Sequence, residues 1–205
     1  MEGRATMVRF NRRPSDGAEV ARHLRRHLGT PFSELEESVG GGVKVRLAGF
    51  ADVPGDEQVT LVTQGLAGAA RRGGWARSDG YAQELVFVFD RRHFGEEILD
   101  FVLTCARRFV EQRQLLSWTE PVRLNAPVPS STELRFLLPT PAALFDDDFQ
   151  FVAERDGETN FCLLVPAYAV EAEFLAANGP DALYDALEEH EVDVSDLGRA
   201  VLSAA

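Results

Sequence analysis

Cysteine is scarce in this chain of 205 residues: Cys105 and Cys162 are the two, 57 positions apart. Each falls in an apolar pattern, Cys105 on a helix face and Cys162 in a strand run. That placement reads as buried free thiols and excludes a disulfide framework. A reducing, cytoplasmic setting fits. Long apolar runs are also missing, and no stretch approaches the ~18 residues that a membrane span needs, so no membrane partner is expected. The first residues carry Arg4, Arg9, Arg12 and Arg13 with no apolar segment behind them. A secretory signal is therefore not expected, and residues 1–14 read as a flexible N-terminus. Positive charge runs out along the chain. Residues 1–113 hold 17 Lys and Arg against 16 Asp and Glu, a net of +1. Residues 114–205 hold 4 against 17, a net of −13. Phosphate backbones are repelled by such a half, which disfavours nucleic acid, whereas a basic protein is attracted to it.

Motifs of chemistry are absent too. No serine stands in a Gly-x-Ser-x-Gly turn. Gly40, Gly41 and Gly42 lack the spacing and the Lys-Ser/Thr pair of a phosphate loop, and read as a flexible joint. His23 and His27 stand four apart, a spacing that suits zinc, but Arg22, Arg25 and Arg26 surround them and oppose a cation. His93 and His190 are each isolated among charged residues and are expected to be solvated. Asp146, Asp147 and Asp148 lack the alternation and the glycine of a calcium loop. No catalytic residue, metal or cofactor is therefore assigned.

Apolar periodicity supplies the architecture. Val20, Leu24 and Leu28 recur at helical spacing after Asp16 and Glu19, which are set as a capping box. Alternation over 43–47 predicts a strand with one wet face. Residues 59–63 form a second strand, and 84–89 a third, apolar nearly throughout and therefore covered on both faces. Residues 65–80 read as a glycine-bearing turn and a charged loop. A long helix follows over 95–113, with Ile98, Phe101, Val102, Cys105, Phe109 and Val110 inward. Strands are expected at 122–124, 134–138, 149–153 and 160–165, the last two joined by an Asp156-Gly157 turn. Two helices close the chain, 170–178 and 180–190, separated by Gly179. The order is α+β, with one domain over 15–205.

Several stretches resemble the suppressor-of-fused domain family. They are Thr60-Leu61-Val62-Thr63-Gln64-Gly65-Leu66-Ala67, then Glu84-Leu85-Val86-Phe87, then Ser117-Trp118 after the long helix. The segment 134–139, the strand 161–166 followed by Glu171 and Glu173, and Asp196-Leu197-Gly198-Arg199 extend the resemblance over roughly 15–200. It implies a sandwich with a mixed, largely antiparallel sheet flanked by helices, and a protein-binding module that is not an enzyme. Bacterial single-domain members resemble immunity proteins of polymorphic toxin systems. The animal family's peptide pocket is not carried over, because Ala69 and Ala70 stand where that protein has an acid and an aromatic.

Beside that resemblance, Gly65 can supply a positive φ where the strand leaves the sheet. Glu84, at the mouth of an apolar strand, is expected to cap backbone N–H groups or to pair with an arginine, Arg199 being the candidate. Gly65, Glu84, Trp118, Asp196 and Arg199 are thus read as structural. Contacts to a protein partner, such as a basic toxin domain, are expected from Asp79 in the 68–80 loop, from Asp146, Asp147 and Asp148, and from Glu188, Glu189 and Glu191. The chain is expected to be a monomer or weak homodimer. Two rivals stand: an enzyme or small-ligand protein with a cleft lined by Trp75, Tyr81 and Trp118, and a homodimeric scaffold subunit.

Overall fold

A computed structural model describes residues 17–78, 80–131 and 133–202. The capping role of Asp16, the contact role of Asp79 and the expectation for residues 1–14 lie outside the described residues. Helix α1 (Ala18–Leu28) leads into strands β1 (Ser33–Ser38), β2 (Lys44–Ala51) and β3 (Gln58–Gln64). Helix α2 (Leu66–Gly73) and strand β4 (Ala82–Asp90) follow, then helix α3 (Glu96–Gln112). Strands β5 (Val122–Arg123), β6 (Phe136–Pro141), β7 (Phe151–Glu154) and β8 (Gly157–Ala167) precede helix α4 (Ala169–Glu189).

The eight strands form one sheet in the order β1-β2-β3-β4-β8-β6-β5, with β7 beside the first half of β8. Among the described residues only β4 and β8 run parallel; the remaining pairs are antiparallel. The α+β class is as the order of elements implies, and the mixed, largely antiparallel sheet is as the resemblance implies. Strand alternation sorts the side chains into two cores. Leu47, Leu61, Leu85, Phe87 and Leu164 face α3 and the start of α2. Ala48, Val62, Val86, Phe161 and Leu163 face α1 and α4. Being sandwiched between these layers buries β4 from Ala82 to Phe89, which is why it reads as an unbroken apolar run.

Two elements differ from the sequence reading. Strand β1 has the sequence Ser-Glu-Leu-Glu-Glu-Ser and is largely exposed at the sheet edge, so it carries no apolar alternation to detect. Residues 66–73, expected within a turn and loop, are helical, and Gly40, Gly41 and Gly42 make the turn between β1 and β2. The alternation of β2 also ends early: Ala48, Gly49 and Phe50 are all buried because both faces are covered there. Within α4, Gly179 (φ 85°, ψ 172°) breaks the helix before Pro180, separating the two helices that the spacing predicts.

Candidate functional site

The short helix α2 exists because of a residue far from it in sequence. It has eight residues, includes Gly68, and has no side-chain cap of its own. Such a segment is a poor isolated helix. Glu84 on the neighbouring strand supplies the cap. Its Oε1 accepts from the N–H groups of Gly65 (2.7 Å) and Ala67 (3.0 Å), and its Oε2 from Leu66 N–H (3.3 Å) and the Thr63 hydroxyl (2.8 Å). Of the two fates open to Glu84, the amides take it, and no arginine among the described residues pairs with it. Burial pushes its carboxyl up to about 7, against the lowering effect of the Ala67 N–H, the Thr63 hydroxyl and the Gly65 and Leu66 N–H groups. Gly65 lies at φ 115°, and a Cβ there would sit 2.9 Å from the Lys44 carbonyl oxygen, so only glycine fits the approach.

Arg71, later on α2, ties three segments together. Its Nε donates to the Gly80 carbonyl (3.0 Å), its Nη1 meets Glu154 (2.5 Å) and its Nη2 meets the Thr159 hydroxyl (2.8 Å). Glu154 lies 83 positions away, so no local signal in the sequence announces the pair.

Arg199 does not reach Glu84. It forms a two-pronged pair with Glu171 at the start of α4, Nη1 to Oε1 and Nη2 to Oε2, each 2.6 Å. Glu171 is already held there, accepting from the Tyr168 and Leu202 N–H groups. Arg199 also donates to the Pro166 carbonyl and lies 5.2 Å from the centre of the Tyr168 ring. Three positions earlier, Asp196 binds the turn after β4: its Oδ1 meets Arg92 Nη2 (2.5 Å) and His93 Nε2 (3.0 Å). The His93 side chain is 14% exposed, so it is paired and not solvated as its charged neighbours suggest. Burial pushes the Asp196 carboxyl up, but hydrogen bonds from His93, the Gly198 N–H and Arg92 outweigh it and hold the group at about 2. Asp196 and Arg199 thus fasten the last turns of the chain to opposite neighbours.

The remaining residues scatter. Trp118 is half-buried against the α3 core. Asp146, Asp147 and Asp148 lie exposed on the turn before β7, and Glu188, Glu189 and Glu191 lie exposed around the end of α4. Trp75 lines an open cavity of about 450 Å³ with the Gly40 to Gly42 turn and Arg113, but neither Tyr81 nor Trp118 does. His23 donates from Nε2 to the Phe149 carbonyl (3.0 Å) and stacks on Phe161, and its burial lowers its pKa. Among the described residues no group of three or more His, Cys, Asp or Glu is placed to hold a metal. Burial also pushes both thiols up, Cys105 to about 12, which keeps them unreactive.

The family model for suppressor of fused protein matches residues 41–200. Among solved structures, a suppressor-of-fused homologue from Neisseria gonorrhoeae superposes with a TM-score of 0.67 at 15% identity, over 93% of this chain and 98% of the other. A chain of the Sufu–Fu complex gives 0.65 at 14% identity, covering 92% of this chain and 93% of the other. Drosophila Suppressor of Fused gives 0.61 at 15%, over 87% of this chain and 47% of the fly protein. No curated protein sequence matches the chain.

Proposed function

Because the chain belongs to the suppressor-of-fused family, we propose that it is a non-enzymatic protein-binding module, an immunity protein that sequesters a basic toxin domain in the cytoplasm. A protein partner is suggested by the relative solved in the Sufu–Fu complex. The observation that carries the choice of a basic partner is a set of uncompensated carboxylates. Asp146, Asp147, Asp148, Glu188, Glu189 and Glu191 are exposed, and none forms an ion pair among the described residues. Carboxylates left facing solvent raise the encounter rate with a cationic surface and reject anionic ones. The protein acts as a monomer or weak homodimer, and each copy covers its partner without breaking a covalent bond.

The test is co-expression with the protein encoded beside it, followed by stopped-flow association of the purified pair. Reversing all six charges should slow association by about tenfold or more at low salt and flatten its salt dependence. Unchanged rates would remove the steering. Failure of the two proteins to form a complex, or to suppress toxicity, would overturn the immunity reading.

A further inference from the structure

Four polar residues stand in a row across one face of the sheet. Glu36 on β1 is the register partner of Arg46 on β2, and Arg46 that of Gln64 on β3. Extending the β3–β4 register two residues past Val62 and Val86 brings Gln64 beside Glu84. Two residues along the same face stand Ala48, Val62 and Val86, which are apolar and lie under α1 and α4. The row therefore marks where the apolar face stops. The start of α1 forms one wall above it and Gly65 with Gly68 the other, enclosing a cavity of about 410 Å³ that opens to solvent.

Gln64 makes this cavity unlike a solvated groove. Its side chain lines the cavity and is 8% exposed, yet no described residue makes a hydrogen bond to its carboxamide. Its amide atoms are not sealed off, since Asn160 Oδ1 and Arg199 Nε are the buried side-chain atoms left without a hydrogen bond among the described residues, so the amide can meet something bound in the cavity. The charges around it point to what that is. Glu36 is paired with Lys44 at 3.3 Å and Glu154 with Arg71 at 2.5 Å. Glu84 already accepts four hydrogen bonds. Arg72, which also lines the cavity, is engaged, and Arg46 is exposed and makes no ion pair or hydrogen bond through its side chain among the described residues. A guanidinium fork beside an amide donor matches a carboxylate. Three carboxylates in the lining disfavour a ligand of higher negative charge.

We propose that this cavity binds a singly charged carboxylate, held by the guanidinium of Arg46 and the carboxamide of Gln64. The site does not depend on the partner being basic. The carboxylate comes either from an acidic side chain of a bound protein or from a free small carboxylic acid.

The test uses the full chain, labelled with nitrogen-15, at constant ionic strength. Propionate and N-acetylglutamate α-methylamide, the side-chain mimic, are titrated separately while proton–nitrogen spectra are recorded. With at least one of them, the Gln64 side-chain amide and the Gly65 N–H should shift and saturate. Arg46→Gln and Gln64→Leu should each weaken that binding by about tenfold or more. Arg22→Gln, an exposed arginine outside the cavity, should change it by less than about twofold. Tighter binding of the side-chain mimic assigns the carboxylate to a protein, and tighter binding of propionate to a free acid. The proposal fails if neither compound saturates the Gln64 signals. It also fails if Arg46→Gln, a substitution at an exposed position that should leave the fold intact, binds as the parent does.

Discussion

Glu84 and Glu171 are both 1% exposed, yet the protein satisfies them in opposite ways. Among the described residues Glu84 receives backbone amides and a hydroxyl with no cation, whereas Glu171 receives a guanidinium as well as amides. The first arrangement builds a helix where local propensity is weak. The second fastens the end of the chain to the start of α4. A carboxyl capped by neutral donors can also be protonated near neutrality, because the donors offset only part of the cost of burying charge.

Breaking the guanidinium pair should have the largest effect. Arg199→Met strands the Glu171 charge and should cost about 3–5 kcal/mol in urea unfolding at neutral pH. Adding Glu171→Gln should recover part of the loss, since it removes the stranded charge while its single carbonyl oxygen still accepts from one of the two amides, Tyr168 or Leu202. No recovery would show that packing of Arg199, and not the stranded charge, governs the site.

Next comes Glu84. Glu84→Ala leaves the α2 amides without their acceptor and should cost about 1–3 kcal/mol, with faster hydrogen exchange confined to Gly65, Leu66 and Ala67. The pH dependence separates capping from charge. The carboxyl is raised from 4.5 in the unfolded chain to about 7 in the fold, so the folded state holds the extra proton between these values. Stability from this group is full below 4.5 and falls as pH rises through 7, by roughly 3 kcal/mol in all. Glu84→Gln should remove that slope from the unfolding profile. A profile equally steep in the variant would place the titration elsewhere.

The smallest effect sharpens the contrast at the other end of the scale. Asp196 is depressed from 3.8 to about 2, so its contribution is complete above 3.8 and is lost as pH falls through 2. Asp196→Asn should cost about 1 kcal/mol or less at neutral pH and abolish only this acid-side loss. The two windows do not overlap, so the variants can be compared in one titration.

Legibility in the sequence followed the same division. Helices α1 and α3 and strands β3, β4 and β8 were readable because burial imposes a period of 2 or 3.6 on their apolar residues. Gly65 and Glu84 stood out as a glycine and an acid beside apolar runs, and Asp196 and Arg199 within a stretch that resembles the family's, but their partners did not. Arg199 was matched to the wrong acid, since Glu171 looks like any acidic residue in the first turn of a helix. Helix α2 was invisible because its cap lies on the next strand. Gln64 was visible only as part of a strand motif; that this largely buried residue lines a cavity follows from three strands meeting under α1.

From its residues alone the chain determined the class of fold, the covered central strand and the uneven charge, all properties that periodicity and composition carry locally. Which acid meets which arginine, where a glycine-bearing segment turns helical, and where the apolar face gives way to the Glu36–Arg46–Gln64–Glu84 row were decided only by tertiary structure. The row depends on strand register, helix α2 on the carboxyl that β4 brings to it, and the Arg199 pair on where the end of the chain meets α4, none of which a local pattern carries.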